Sequence, residues 1–321
     1  MVYAGAHPSK KFNRDRMDKL MNGQNGKIGG NVSKLVVNDV LSLLVFTPPV
    51  LKDSCPVFYF VHGGGFCIGE PENKIYFDLM NEFASKGYIV VSPAYRLAPE
   101  HPFPSQVIDC FDGLRYIASG KLAGADISKI VVGGDSAGGN LALIIASLVR
   151  DGVNGQLEDE QLNISIRHIV AMYPAMMLPF KTKSQTKLNN AAYLPYWFSR
   201  WFNDSYLPDE MTRQTLFDSD RRVCPLTAGV HGLPSVTVIF GSHDPFHDEC
   251  EMLCRELQRA GGTVHKIFVK NQVHGFLVGF KHTAKNKCLK EVISNMELSL
   301  DDTGPESSVE IVLNSPVEKI E

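Results

Sequence analysis

The sequence lacks a long hydrophobic run and lacks any block of basic residues. Its longest apolar stretches, such as residues 141–149, are far shorter than the ~20 residues that cross a bilayer, so no membrane span is predicted. Lysine and arginine total 32 against 35 aspartate and glutamate residues, which gives a formal net charge of −3. Because a nucleic-acid binder needs a basic patch, we expect a small molecule rather than a nucleic acid as the partner.

Neither a disulfide framework nor a metal-binding cluster is predicted, and the first residues do not have the pattern of a secretory signal. Its seven cysteines are odd in number and scattered, and the opening residues MVYAGAHPSKKFNRDR contain no apolar segment after a basic start. Cys250 and Cys254 lie four residues apart without a third or fourth ligand, which favours packing over a metal site. We therefore expect a cytoplasmic protein that uses no metal and no cofactor.

Short apolar runs alternate with amphipathic stretches along most of the chain. Residues 56–61 and 88–92 are continuous apolar runs followed by glycine or proline, which is typical of parallel strands buried on both faces. Residues 32–46 have the pattern of a β-hairpin. The alternation predicts the α/β class, with a mostly parallel central sheet and helices on both of its faces.

The same patterns divide the chain into three segments. Residues 1–31 are predicted to form a short N-terminal lid segment, residues 32–298 the α/β domain, and residues 299–321 an acidic, disordered tail. Residues 174–228 contain no strand pattern and a dense aromatic cluster. We interpret that segment as a small helical cap inserted over the carboxyl edge of the sheet.

The segment Gly134-Asp135-Ser136-Ala137-Gly138 fits the G-x-S-x-G pattern of a nucleophilic serine. Small flanking residues allow a sharp turn that lifts the serine hydroxyl above the sheet. The pattern alone is also compatible with a structural turn. Its position between a predicted strand and a predicted helix favours Ser136 as the nucleophile.

A serine nucleophile needs a base and an acid that orients the base, in the chain order Ser, Asp or Glu, His. Asp244 directly follows the predicted strand 236–240, and His274 follows the last predicted strand. Asp248 and Glu249 are competing acids, but both lie at the start of a predicted helix, where acidic residues are common. We predict Asp244 as the acid and His274 as the base.

The loop His62-Gly63-Gly64-Gly65-Phe66 follows a predicted strand and matches the HGGG pattern of oxyanion-binding loops. A flexible turn and a phosphate-binding loop are the alternatives. The second is disfavoured because neither a Walker A motif nor a Rossmann fingerprint is present.

At this point the chain resembles the hormone-sensitive lipase family of α/β-hydrolases, in the GDSAG branch that includes carboxylesterases and arylacetamide deacetylases. The resemblance covers roughly residues 32–296 through the motifs HGGGF, YRLAPEHPFP, GDSAGG, CPLTAGVHGLP, GSHDPFHDE and VHGF. It implies an α/β-hydrolase fold, a catalytic triad of Ser136, Asp244 and His274, and an oxyanion hole formed by the amides of Gly64, Gly65 and Ala137.

The resemblance implies a serine carboxylesterase acting on short- to medium-chain esters. An arylacetamide deacetylase-like amidase and a non-catalytic small-molecule receptor on the same fold are alternatives, and the intact histidine position favours an enzyme. Two departures from the family pattern are the short segment before residue 32 and Phe246, which replaces a usual leucine. The sequence leaves a homodimer open.

The substrate pocket is predicted to have bulky walls. Phe66 and Phe246 are expected to crowd the catalytic side, and Trp197 and Trp201, four residues apart on one helix face, to line the acyl pocket. The alternative role of the two tryptophans is cap packing. A short pocket predicts an optimum at esters of about four to eight acyl carbons, because each methylene contributes ~0.8 kcal/mol only while space remains.

Overall fold

The computed structural model describes residues 25–191, 193–207, 210–279, 283–301 and 307–314. Nine strands among these residues form one sheet in the order β1-β2-β4-β3-β5-β6-β7-β8-β9. The strands are β1 Val32–Val36, β2 Ser42–Phe46, β3 Cys55–Val61, β4 Ile89–Pro93, β5 Ala125–Asp135, β6 Ile166–Met172, β7 Ser235–His243, β8 Val264–Val273 and β9 Val309–Asn314. Only the β1–β2 and β2–β4 pairs are antiparallel, which confirms the predicted mostly parallel sheet and the hairpin.

Helices cover both faces of the sheet. The helices are α1 Lys74–Ala84, α2 Ser105–Ala118, α3 Ala137–Asp151, α4 Lys183–Lys187, α5 Tyr196–Tyr206, α6 Glu210–Ser219, α7 Pro225–Ala228, α8 His247–Arg259, α9 Phe276–Gly279 and α10 Thr283–Leu300. The larger apolar core contains α1, α8 and α10, and the smaller apolar core contains α2 and most of α3. Strand β3 contributes alternate residues to the two cores, as its continuous apolar sequence predicts.

The predicted cap segment contains α4, α5, α6 and α7, and the structure assigns no strand to its described residues. Prolines interrupt it repeatedly, which keeps its helices short: Pro174 follows β6, and Pro195 immediately precedes α5. The cap begins directly after β6, at the carboxyl edge of the sheet, and the chain then returns to the start of the parallel strand β7.

Part of the tail predicted to be disordered is ordered, because residues 309–314 form strand β9. This strand pairs in parallel with β8, with Ile311 opposite Ile267 and Leu313 opposite Val269. Leu313 packs against the larger core. Alternating apolar residues within the acidic segment explain the strand, and this corrects the prediction.

Only the end of the predicted lid segment is described, since residues 1–24 lie outside the described residues. Asn25 forms a β-bridge with Asn73, and the Gly26 amide donates to the Glu72 carbonyl at 2.7 Å. Residues 25 and 26 therefore lie beside the start of α1.

Candidate active site

Ser136 occupies a sharp turn between β5 and α3. Its φ of +54° lies in the left-handed region that is strained for a non-glycine residue, and this geometry is common at functional sites. A Cβ atom at Gly134 or Gly138 would overlap the carbonyl oxygen of Val61 on the neighbouring strand. The turn therefore requires glycine on both sides of the serine, which is the physical basis of the G-x-S-x-G pattern.

The structure brings Ser136, His274 and Asp244 into one hydrogen-bonded chain. His274 Nε2 lies 2.8 Å from Ser136 Oγ, and His274 Nδ1 lies 2.9 Å and 3.1 Å from the two carboxylate oxygens of Asp244. Because a carboxylate can only accept, Nδ1 carries the proton and Nε2 is left to accept from the serine hydroxyl. This is the arrangement that a serine nucleophile with a histidine base needs.

Packing fixes the orientation of these side chains. Asp244 is fully buried and accepts the Phe246 amide at 2.8 Å. The His274 imidazole meets the ring of Phe246 nearly edge to face, with centroids 5.0 Å apart, and the ring of Tyr173 at 4.9 Å. Two aromatic neighbours and a carboxylate thus restrict rotation of the imidazole.

The competing acids contact other groups. Asp248 accepts the Ser184 amide at 2.7 Å, and Glu249 accepts the Met176 amide at 2.9 Å. The acid hydrogen-bonded to His274 is Asp244. The geometry therefore supports the choice of Asp244 over its two rivals.

The glycine loop lies directly beside the serine turn. The Gly63 amide donates to Asp135 Oδ1 at 2.7 Å, so it is already engaged. Among the described residues, no protein acceptor binds the amides of Gly64, Gly65 or Ala137. The absence of a protein acceptor at these three amides is compatible with the oxyanion-binding role that the resemblance implies for them.

Asp135 is a site residue that the sequence interpretation treated only as a spacer within the motif. It is buried beside Ser136, and this burial raises the pKa of its carboxyl to about 7, although the Gly63 amide acts in the opposite direction. The only sequence signal for this role is its position next to the nucleophile. Its hydrogen bond holds the glycine loop against the serine turn.

His62 has a structural role, as the sequence indicated. Burial lowers the pKa of its imidazole to about 4, so the ring is neutral, and Nδ1 lies 2.8 Å from the Gly63 carbonyl. The ring stacks on Tyr95 with centroids 4.2 Å apart. The Tyr95 hydroxyl in turn donates to the His62 carbonyl at 2.9 Å, and this hydrogen bond stabilises the conformation of the glycine loop.

Ser136 and His274 line a cleft that is partly open to solvent, and its empty volume of about 610 Å³ includes space that belongs to the open solvent. Gly64 and Gly65 line its catalytic end. Its other lining residues are almost entirely apolar or aromatic, and include Ile68, Ile75, Tyr76, Tyr193, Leu194, Phe198, Phe202 and Val278.

Trp197 and Trp201 are not among the residues that line this cleft, which corrects the predicted pocket. Both pack against the larger core and are partly buried, in agreement with the alternative of cap packing. Phe198 and Phe202, one position further along α5, line the cleft instead. One residue is a rotation of about 100° on a helix, so the aromatic cluster was identified but its inward face was not.

Phe66 and Phe246 also lie outside the cleft lining. The Phe66 ring is buried and stacks on Tyr206 with centroids 3.8 Å apart, so it joins the cap to the glycine loop instead of facing substrate. Phe246 does crowd the catalytic side, but through its contact with the His274 ring.

Neither a metal centre nor a membrane-crossing element is found in the part of the chain that the structure describes. No group of three or more His, Cys, Asp or Glu side chains there could hold a metal ion, and no helix there has both the length and the apolar character needed to cross a bilayer. All seven cysteines are described, and each is a buried free thiol.

Comparison with known proteins places this site in a family. The profile of the alpha/beta hydrolase fold family matches residues 58–278, and that of the carboxylesterase family matches residues 3–100. The chain belongs to the alpha/beta hydrolase fold family. The resemblance drawn from the motifs is thereby confirmed.

Relatives in this family include enzymes from bacteria and mammals. Carboxylesterase NlhH of Mycobacterium tuberculosis is 31% identical over 235 residues, which cover 73% of this chain and 70% of that protein. Arylacetamide deacetylase of Mus musculus is 25% identical over 299 residues, covering 74% of this chain and 73% of that protein. The crystal structure of the thermostable carboxylesterase EstE1, cloned from a metagenomic library, superposes with a TM-score of 0.76 at 27% identity and covers 89% of this chain and 96% of its own.

Proposed function

We propose that this protein is a serine carboxylesterase that hydrolyses small carboxylic esters through a covalent acyl-enzyme. The observation that carries the proposal is the continuous hydrogen-bonded chain from Ser136 through His274 to the buried Asp244. The named carboxylesterases among its relatives support the same reaction. No metal or cofactor enters the proposed mechanism.

In the first half-reaction, Ser136 Oγ attacks the ester carbonyl carbon while its proton passes to His274 Nε2. Asp244 accepts the Nδ1 proton in a hydrogen bond and stabilises the imidazolium that forms. The negative charge that develops on the carbonyl oxygen is met by the amides of Gly64, Gly65 and Ala137, whose positions are fixed before substrate arrives. His274 Nε2 then gives its proton to the departing alcohol oxygen, and the acyl group remains on Ser136.

The second half-reaction repeats these proton transfers with water. His274 Nε2 takes a proton from a water molecule, the resulting hydroxide attacks the acyl carbonyl, and the same amides stabilise the second tetrahedral intermediate. Collapse of that intermediate releases the carboxylic acid and returns the proton to Ser136 Oγ. Because Ser136 is only partly buried, water can reach the acyl group.

The apolar lining of the cleft supports short- to medium-chain esters of about four to eight acyl carbons as substrates. Phe198 and Phe202 are bulky walls close to the catalytic end, so a longer acyl chain would extend into solvent or displace an aromatic ring. We include in the proposal a cytoplasmic location, which is supported by the seven free thiols. A homodimer is compatible with it.

Two alternative functions, a non-catalytic receptor and an amidase, differ from an esterase in what they require of the site. A non-catalytic receptor needs no complete triad, whereas the hydrogen-bonded triad geometry and the three available amides suit a reaction. An amidase would use the same residues to cleave an amide, which is less reactive than an ester. The mouse arylacetamide deacetylase among the relatives makes an amide a relevant substrate to compare.

The experiment is turnover of p-nitrophenyl butyrate and of p-nitroacetanilide by the wild type and by Ser136→Ala. We expect ester hydrolysis by the wild type, much slower amide hydrolysis, and a loss of at least ~10⁴-fold in Ser136→Ala. Binding of both compounds without turnover would favour the receptor, and faster amide than ester cleavage would favour the amidase.

A further inference from the structure

We propose that Glu249 is a positioning residue for the catalytic site, connecting the turn that carries Asp244 to the nucleophile turn and to the cap. The inference rests on the proposed ester hydrolysis. Glu249 lies in the first turn of α8, five residues after Asp244, and only 2% of it is exposed. Its two carboxyl oxygens each bind a different segment.

The first connection runs to the nucleophile. Glu249 Oε2 accepts the Met176 amide at 2.9 Å. The amide of the preceding residue, Ala175, donates to the Ser136 carbonyl at 3.1 Å. Two adjacent backbone amides in the segment after β6 therefore donate to different partners. The Ala175 amide binds the backbone of the nucleophile, and the Met176 amide binds Glu249.

The second connection runs to the cap. Glu249 Oε1 accepts the side-chain amide of Gln185 at 2.7 Å, and the side-chain oxygen Oε1 of Gln185 accepts the backbone amide of Thr182 at 2.9 Å. Helix α4 is therefore fixed to α8 beside the acid turn. The Ser184 hydroxyl reinforces this contact by donating to the Pro245 carbonyl at 2.7 Å.

A carboxyl group is otherwise unfavourable at this position. Its helix neighbours Cys250 and Leu253 are buried in the core, so an apolar side chain would satisfy packing. Burial, together with the nearby charges of Asp244 and Asp248, raises the pKa of Glu249 to about 8, although the hydrogen bond from the Met176 amide acts in the opposite direction. The two acceptor roles give a physical reason for the residue, because a buried amide left without an acceptor is costly.

The two connections predict separable kinetic effects. Gln185→Met breaks only the cap connection, so we expect KM to rise about fivefold with kcat unchanged within about twofold. Glu249→Met, which is similar in size but has no oxygen acceptor, breaks both connections and should also lower kcat about tenfold. Glu256→Gln changes a partly exposed carboxyl that pairs with Arg259 at the other end of α8, and it is the matched control, expected to behave as the wild type.

A donor–acceptor exchange keeps the proposal testable if Glu249→Met does not fold. In Glu249→Gln, the single remaining oxygen can serve the fixed Met176 amide, so this variant should show the raised KM of Gln185→Met. Adding Gln185→Glu supplies an acceptor for the new side-chain amide, and the double variant should return KM to within about twofold of the wild type.

Rates with p-nitrophenyl butyrate are taken per active site, counted by organophosphate titration, so that a smaller folded fraction does not lower them. Unchanged kcat and KM per site in Glu249→Met and Glu249→Gln, with only a lower Tm, would overturn the proposal. So would a failure of the double variant to recover KM. If the wild type itself does not turn over the ester, the proposed function fails instead, and the two results cannot be confused.

Discussion

Truncating Phe198 tests the proposed acyl pocket, because its ring lines the cleft while the neighbouring Trp197 does not. Phe198→Ala removes a whole ring from the wall and leaves room for at least three methylene groups. Each buried methylene is worth ~0.8 kcal/mol, or about fourfold in kcat/KM, so three methylenes amount to about 60-fold. We therefore expect the ratio of kcat/KM for the ten-carbon ester over the four-carbon ester to rise by up to about 60-fold.

The assay is a p-nitrophenyl ester series from two to twelve acyl carbons, measured below KM and normalised by active-site titration. Truncating a buried phenylalanine costs about 3–5 kcal/mol of stability, so the measurements are made well below the Tm of the variant. Trp197→Ala is the matched control, since it removes an aromatic side chain from the same helix outside the cleft. An unchanged chain-length profile in Phe198→Ala, or a shift in Trp197→Ala alone, would refute the pocket assignment.

Three further predictions concern the acid, the glycine loop and a buried histidine. Asp244→Asn should lower kcat by ~10⁴-fold because the imidazole loses its correct tautomer, whereas Asp248→Asn should cost far less; the reverse order in steady-state rates would move the acid role to Asp248. Gly64 has a φ of +107°, and in Gly64→Ala the new Cβ would overlap the Ile68 carbonyl oxygen. We therefore expect kcat to fall ~10²–10³-fold. A near-parental kcat in the folded variant would exclude this loop as the oxyanion hole. Burial and the nearby His265 lower the pKa of the His168 imidazole from 6.5 to about 3. Between these two pH values the unfolded chain takes up a proton that the folded chain excludes. The free energy of unfolding should therefore fall, as the pH is lowered from 6.5 to 3, by up to about 1.4 kcal/mol per pH unit. Urea unfolding across this pH range should show a shallower decline for His168→Gln, and an equal decline would contradict this cause.

Local patterns were sufficient to find most residues of the proposed catalytic centre. Ser136 could be found because its flanking glycines are demanded by backbone contacts, and Asp244 and His274 because each follows a strand in the required order. The central strands were predictable because burial on both faces leaves a continuous apolar run, as in β3. These features depend on residues close together in the chain.

Features that depend on distant contacts were not predictable. The aromatic cluster of α5 surrounds much of the helix, so its sequence does not reveal that Phe198 rather than Trp197 faces the cleft. Glu249 has the ordinary appearance of a first-turn acidic residue, and its two partners lie 64 and 73 residues away. Strand β9 was hidden because its few apolar residues are stabilised by pairing with β8, not by a pattern strong enough to stand alone.

The most direct test of the central claim, that Ser136 is the nucleophile activated by His274, is the site of covalent labelling. The protein is treated with diethyl p-nitrophenyl phosphate, digested and mapped by mass spectrometry, alongside Ser136→Ala and His274→Ala. In the wild type we expect one diethylphosphoryl adduct on Ser136, and the loss of esterase activity should parallel its formation. Ser136→Ala should carry no adduct at this site. His274→Ala should be labelled much more slowly, because no base removes the proton of the serine hydroxyl. An adduct on another residue, or equal labelling rates with and without His274, would contradict the proposed mechanism.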